Sequence, residues 1–457
     1  MEDRRYSIRK RLREYDVPVE DYIEAGNYRV SPIYKLPDHL FLKIFSYLPL
    51  RDRFRIQRVC KFCQKLSIEA WESYNTLTLS LEDWGCDLSF NFPMDKYLVL
   101  KNILQVCGPF ITCLDLRRSR KCTVWKRIPV DNFHLITIIG EHCPNLLAID
   151  IPLLYNNNSK SIRFLLESAK KLKEWTFRLE EDERFYKEWP LQIPGLNLTN
   201  NQCLRKLVIH VPLAASSIWN TLNPQTVEEI DTVFENINDE FCEALQNWVK
   251  LKSISLLNSS YIFVIRQTHL CNTIRIEAVL KSLMSVKKSL KRIVIHCLRI
   301  RRPNYAKIDH NLIDAFKNIE ILELSEGDLW LSREFFEALG KNCHNLRRVY
   351  LRALEALDDV KMLYITELPK LEELELTSLD LISDVIFINN LLVLKKLRCT
   401  NCRSLEAFGF CELMHNCKTI ESIEITQCKN VCIEKVLSEA KLITESRTDR
   451  PLRIKIE

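Results

Sequence analysis

The sequence predicts an α/β protein: a short three-helix segment followed by a right-handed array of strand–helix units, with parallel strands on the concave face and helices outside. Three observations carry this. The 457 residues exceed what one core can fill, since single cores stop growing near ~250–300 residues. Glycine is scarce, 8 residues in all, where ordinary usage of ~7% would give roughly 32, and this disfavours glycine-rich nucleotide folds. One short pattern, apolar-x-x-apolar-x-apolar, returns throughout the chain after Trp71.

Composition narrows the function. Apolar residues make up 47% and charged residues 28%, a globular balance. The net charge of +6 comes from 66 Lys+Arg against 60 Asp+Glu, and the sequence pI of about 8.4 stays below the range above ~9 usual for nucleic-acid binders. Neither nucleic acid nor a membrane is expected as a partner. The most apolar stretch, Leu379 to Leu394, is broken by Asp380, Asp384, Asn389 and Asn390, whereas a spanning helix needs ~20 mainly apolar residues. The opening MEDRRYSIRKRLREY has no apolar signal core, so the 18 cysteines are expected as free thiols in a reducing compartment, cytoplasmic and/or nuclear. For the same reason the sequons at Asn157, Asn197 and Asn258 carry no weight. Residues 1–30 form a tail whose basic start, Arg4, Arg5, Arg9, Lys10, Arg11 and Arg13, reads as a solvated segment, the alternative being a nuclear-import patch.

The first folded segment spans 31–72. Pro37 suits the start of a helix, and Leu40, Phe41, Ile44, Phe45 and Leu48 then line one helical face. Pro49 stops that helix, and Asp52 is expected to cap a second one. There Ile56, Val59, Cys60 and Cys63 recur at i, i+3, i+4 and i+7, and Trp71 closes the segment. About 40 residues of short amphipathic helix cannot make a robust core alone, so some apolar surface is left for another body to cover.

Residues 73–457 carry the repeats. The pattern runs from Tyr74/Leu77/Leu79, through Ile111/Leu114/Leu116 and Leu204/Leu207/Ile209, to Leu371/Leu374/Leu376 and Ile420/Ile423/Ile425, with Arg453-Ile454-Lys455-Ile456 as a final strand. Its last two apolar positions are two apart, which is strand alternation onto one face. Segments such as SREFFEALGKNC and EAFGFCELMHNC between them read as helices. Units open at Leu290, Ile319, Leu346, Leu371, Leu394 and Ile420, but earlier spacing is irregular, with a long gap between Leu204 and Leu251. A strand and a helix every ~20–29 residues is the leucine-rich-repeat unit, here about 12 irregular copies stacked into a horseshoe.

The cysteines fit this repeat. Cys402 and Cys428 both stand three residues after the last strand apolar, and Cys143, Cys343 and Cys417 each precede the next repeat's first apolar residue by three. That phase outweighs a zinc site built from Cys399, Cys402, Cys411 and Cys417. It also outweighs nucleophile pairs of these cysteines with His142, His344 or His415. No P-loop, HExxH or GxSxG is present. A non-catalytic protein without cofactor or metal is expected.

The run LPDHLFLKIFSYLPLRDRFRIQRVCKFCQKLSIEAW resembles an F-box, through Leu36, Pro37, Leu40, Ile44, Phe45, Leu48, Pro49, Leu50, Val59, Cys60, Leu66 and Trp71. The family often has Glu where this chain has His39, and Trp where it has Cys63. An F-box followed by repeats is similar to the F-box/leucine-rich-repeat proteins. The resemblance implies a substrate-recognition subunit of an SCF-type ubiquitin ligase, in which the F-box docks on a Skp-type adaptor that leads to a cullin–RING ligase. The repeats would then present the protein to be ubiquitinated. The implied adaptor-binding residues are Leu36, Pro37, Leu40, Ile44, Phe45, Leu48, Pro49, Val59 and Cys60. A repeat scaffold acting without any ligase is the alternative, and no homo-oligomer is expected.

Substrate contacts are expected on the strand positions that alternate with the core: Arg292, His296, Arg348, Tyr350, Arg352, Lys396 and Arg398. Their sign alternates strand by strand with Glu323, Glu373, Glu375 and Glu424, so pairing across neighbouring strands competes with that reading. A second candidate is the acidic stretch Pro224 to Glu243, read as a binding loop or a solvated helix, beside the basic stretch Lys287 to Arg302.

Overall fold

The computed structural model describes residues 36–73, 75–78, 93–115, 132–153, 159–179, 197–210, 217–257, 272–296, 310–325, 332–354, 356–388, 391–446 and 452–456. The basic tail, Tyr74, Leu79, Leu116 and the end of the basic stretch, 297–302, lie outside these residues. The chain forms two compact units, Met1–Leu172 and Lys173–Glu457.

The first unit opens with helices α1 (Asp38–Ser46), α2 (Leu50–Ile56) and α3 (Lys61–Glu69), closed by a 3₁₀ turn at Ala70–Ser73. Pro37 and Pro49 stand just outside α1 and α2 as N-caps, where a missing N–H costs nothing. Asp52 caps no helix. It lies within the first turn of α2 and pairs with Arg55 at 3.1 Å. The expected continuous stripe from Ile56 to Cys63 is broken. The helix stops at Ile56, Val59 lies in the connector, and Cys60 caps α3 by accepting the Cys63 N–H at 3.3 Å. A buried core of Phe41, Phe45, Cys63, Leu66 and Ala70 fills the bundle, with Leu36, Leu42, Leu48, Ile56, Cys60 and Phe62 packed around it. Buried Arg53 ties the helices together: its guanidinium donates to the carbonyls of Leu48 and Ser46 and lies over the ring of fully buried Trp71.

The same unit continues with β1 (Thr76–Thr78), α4 (Pro93–Cys107), β2 (Cys113–Asp115), α5 (Asn132–His142), β3 (Ala148–Leu153) and α6 (Ser159–Ser168). The strands pair in parallel, Leu77 beside Leu114 and Leu114 beside Ile149.

The second unit contains eleven parallel strands in sequence order: β4 (Glu174–Leu179), β5 (Lys206–Ile209), β6 (Glu229–Val233), β7 (Ser253–Leu257), β8 (Arg292–His296), β9 (Ile321–Ser325), β10 (Arg348–Arg352), β11 (Glu373–Thr377), β12 (Lys396–Thr400), β13 (Ser422–Thr426) and β14 (Arg453–Ile456). The register follows the repeat. From β8 on, Ile293, Leu322, Val349, Leu374, Leu397, Ile423 and Ile454 stand side by side, buried except at the edge strand β14. Each unit thus buries its apolar teeth only between its neighbours, which makes this a leucine-rich-repeat solenoid.

Helices follow where the sequence supplies caps. Asn238, Ser332 and Asp358 accept backbone N–H groups at the starts of α7 (Asp239–Asn247), α9 (Arg333–Asn342) and α10 (Asp359–Thr366). Between α7 and α9 lies α8 (Asn272–Leu283). The next helix, α11 (Ala407–Asn416), is capped by the preceding repeat, whose Asp384 carboxylate accepts the Gly409 N–H at 2.8 Å. A Cβ at Gly409 would collide with the Asp384 backbone, so only glycine permits that approach. The last helix is α12 (Ile433–Ser446). Shorter 3₁₀ turns at Ser217–Thr221, His310–Phe316 and Asp384–Phe387 replace helices in other units.

One strand was hidden in the sequence. The acidic stretch Pro224 to Glu243 is neither a loop nor a single solvated helix. It holds β6, a 3₁₀ turn at Phe234–Asn236 and the start of α7. The pattern is present as Val227/Ile230/Thr232, with the fully buried Thr232 in place of the third apolar residue. Its hydroxyl accepts from Asn236 Nδ2 at 3.1 Å, which satisfies the polar atom inside the core.

Candidate functional site

Along α1 and the two residues that follow it, positions i, i+4 and i+7 fall in two adjacent stripes. Phe41, Phe45 and Leu48 turn inward. Leu40, Ile44 and Tyr47 turn to solvent, exposed by 37, 44 and 78%, and Val59 from the α2–α3 connector adds a side chain exposed by 59%. Pro37 and Pro49 are exposed as well, whereas Leu36, Leu48 and Cys60 are half-buried against the bundle core. Phe45 must be corrected: expected at the surface with Ile44, it is 2% exposed and packs edge-on against Phe41 at 5.8 Å, so it belongs to the bundle core beneath the exposed stripe. Sequence reasoning missed Tyr47, although its spacing from Leu40 and Ile44 was the signal.

The strand face brings the expected substrate residues together, but already engaged. Arg348 Nε lies 3.5 Å from Glu373, Tyr350 donates to Glu373 at 3.1 Å, and Lys396 reaches the same carboxylate at 2.9 Å. Arg352 and Arg398 both donate to Glu375 at 2.8 Å, and Arg398 also reaches Glu424 at 2.7 Å. Further along, Glu323 takes His296 at 2.9 Å and lies 3.6 Å from Arg292. Pairing across strands, the competing expectation, therefore describes the ground state of this face. Hydrogen bonds from Arg398 and Lys455 hold the Glu424 carboxyl below its usual range. Burial pushes Glu373 up, but bonds from Lys396 and Tyr350 outweigh it and leave the group depressed. Burial and the Glu373 charge push the Tyr350 phenol up.

Cys402 and Cys428 are bound into the repeat. Cys402 Sγ donates to the Leu376 carbonyl at 3.5 Å, Cys428 Sγ to the Cys399 carbonyl at 3.6 Å, and the Cys402 N–H to Cys428 Sγ at 3.4 Å, so these two thiols serve the turns after β12 and β13, and the bonds from Cys402 hold the Cys428 thiol down at about 7. Burial pushes the Cys143 and Cys343 thiols up to about 12, the opposite of a poised nucleophile. His415 is paired with Glu439 at 2.7 Å. Among the described residues no group of three or more His, Cys, Asp or Glu is placed to hold a metal, and no helix is long and apolar enough to cross a membrane.

Residues 33–74 match the F-box-like family model. The chain thus carries an F-box-like domain, followed by leucine-rich repeats. Over 36 residues, in the F-box region, it is 58% identical to bovine F-box/LRR-repeat protein 12, a match covering 8% of this chain and 11% of the relative. A longer match, 27% identical over 169 residues, is to a Caenorhabditis elegans protein named putative RNA-binding protein EEED8.10, and covers 36% of this chain and 21% of the relative. These matches span about a fifth or less of the relatives' lengths. Among solved structures, a chain of the yeast Rad7 and Elc1 complex is similar at a TM-score of 0.47 and 13% identity, covering 96% of this chain and 98% of that one.

Proposed function

We propose that the protein is a non-catalytic substrate-recognition subunit of an SCF-type ubiquitin ligase, its F-box-like bundle binding a Skp-type adaptor and its repeats binding the protein to be ubiquitinated. The observation that supports this best is the solvent-facing stripe of Leu40, Ile44 and Tyr47 with Val59, on a bundle that matches the F-box-like model. Fully burying a side chain of this size contributes ~1.5–3 kcal/mol, so a few of them would dominate adaptor affinity as hot spots. Pro37 and Pro49 would border that contact, and half-buried Leu36, Leu48 and Cys60 would shape it.

The test is co-purification of the full chain with a Skp-type adaptor and a cullin. The wild type is expected to carry both, and Leu40→Asp with Ile44→Asp to lose both while remaining folded. A folded wild type that binds no adaptor, or a double variant that binds undiminished, would falsify the reading. Adaptor binding without cullin would instead favour a repeat scaffold acting outside a ligase.

A further inference from the structure

Among the described residues the face of β10–β14 carries more cations than carboxylates, and the two kinds of group differ in exposure. Arg348, Arg352, Lys396, Arg398, Arg453 and Lys455 make six positive charges; Glu373, Glu375 and Glu424 make three negative ones. The difference is +3 among the described residues of these strands. The Glu375 side chain is only 9% exposed and those of Glu373 and Glu424 under a quarter, whereas Arg348, Arg352, Lys396, Arg398 and Lys455 are exposed by 45 to 60%. The carboxylates therefore act as footings. Each fixes its cations in place, and the side chains of Arg348, Arg352, Lys396 and Arg398 remain about half exposed to water. On β5 and β6 the same face carries two carboxylates against one lysine: Lys206 pairs with Glu229 at 3.0 Å and Asp231 lies 3.0 Å from His210.

We propose that β10–β14 is the docking surface for an extended polypeptide segment carrying Asp or Glu side chains, so that the substrate class is an acidic peptide stretch. This deepens the substrate-receptor reading and rests on it. Spacing supports the choice. Cations recur on alternate strands, β10, β12 and β14, and strands ~4.8 Å apart place them ~10 Å from one another. A polyproline-II-like chain, with three residues per turn and ~3.1 Å rise, covers about that distance in one turn, so acidic side chains at every third position, or an unbroken acidic run, would meet them in turn. The internal pairs at 2.7–3.1 Å show that these cations bind carboxylates, Arg398 two of them at once. A phosphate would need two or three cations converging on one point, but here a carboxylate stands between one cation strand and the next. A nucleic-acid backbone, with its continuous dense charge, would meet Glu373, Glu375 and Glu424 as interruptions.

The test is fluorescence anisotropy of the full chain with labelled 15-residue peptides: one with Asp or Glu at every third position, its Asn/Gln counterpart, and a phosphoserine version, with a single-stranded oligonucleotide alongside. The acidic peptide is expected to bind at least about tenfold tighter than the neutral one at low salt, with the preference shrinking as salt rises. Arg348→Gln with Lys396→Gln should weaken the acidic peptide by about tenfold, Arg348→Lys with Lys396→Arg, which keep both charges, should bind it as the wild type does, and Lys206→Gln on β5 should change nothing. Equal binding of acidic and neutral peptides, indifference to the double variant, or tighter binding of phosphoserine peptide or oligonucleotide would overturn the proposal. The charge variants should still co-purify with the adaptor, and Leu40→Asp with Ile44→Asp should still bind the acidic peptide, so that loss of docking at one surface is distinguished from loss at the other.

Discussion

In the N-terminal bundle, Phe41 and Phe45 lie inside while Leu40, Ile44, Tyr47 and Val59 stay in water; on β10–β13 the apolar strand positions are sealed, and Arg, Lys and Glu face outward. The difference follows from neighbours. A repeat has one on each side, so its apolar teeth are covered by the array itself. Three helices of 7 to 9 residues, with the turn that closes them, enclose an apolar cluster of five buried residues and have apolar surface left over. The bundle therefore has apolar surface whose burial would be favourable, whereas the cations of the strand face are already paired on one side and offer only their solvent-exposed side for a further, screened contact. Binding should accordingly be strong and hydrophobic at the first surface, and weaker and salt-dependent at the second.

The largest expected effect separates the two stripes of α1. Phe45→Ala removes a core aromatic, a change that costs ~3–5 kcal/mol, and should abolish amide protection in 38–69 by hydrogen exchange while leaving β10–β13 protected. Ile44→Asp alters a side chain already in water and should leave both regions protected. Equal loss from the two substitutions would break the distinction between supporting and docking residues. Next comes Gly409→Ala, whose methyl group would meet the Asp384 backbone. Overpacking of this kind costs ~1–3 kcal/mol, and it should loosen α11 and its neighbour without touching the bundle.

Acid sharpens the contrast. Glu323, Glu373 and Glu424 are held below the ordinary carboxylate value of 4.5. A depressed folded pKa gives stability that is present above the unfolded value and lost as pH falls through the folded one. The repeat unit should therefore lose denaturant resistance progressively below about pH 4.5, and Glu373→Gln with Glu424→Gln should flatten that dependence. Hydrogen exchange in 38–69 should not follow the same curve. The bundle tracking the strands through this window would show that the ladder is not the cause.

Much of this was legible because the repeat has a fixed phase. Leu290/Ile293/Ile295 and its later copies mark the strands and their register, and Cys343, Cys402, Cys417 and Cys428 keep the same phase. What escaped was polar chemistry doing an apolar job. Thr232 hid β6 because a hydroxyl satisfied by Asn236 can occupy a core position, and Cys60 hid the break between α2 and α3 because a thiol that caps a helix still reads as an apolar tooth. At the candidate site, spacing could place Phe45 and Ile44 on one helix but could not assign them to opposite sides of a boundary. That depends on where α3 packs. Differences in exposure on the strand face were equally hidden, since alternation of sign says nothing about which charge is more buried.

The smallest expected effect concerns the ends of those strands. Among the described residues, positive φ at non-glycine positions occurs only at Ala353, Ser378, Asn401 and Gln427, at 49°, 54°, 52° and 56°, each directly after one of β10–β13. The left-handed turn lets the N–H groups of Ala353, Ser378 and Asn401 each donate at 2.8 Å to the final carbonyl of the next strand. A side chain in this region costs ~1–2 kcal/mol, less for Asn, while glycine loses ~0.5–1 kcal/mol of backbone entropy. Ala353→Gly should thus raise the stability of the repeat unit by no more than ~1 kcal/mol. Asn401→Gly should not, because it also loses the bond from Nδ2 to Ser378 Oγ at 3.1 Å. Chemical denaturation of the two variants side by side decides it: a gain at Asn401 equal to that at Ala353 would mean that the turn is held by its backbone alone.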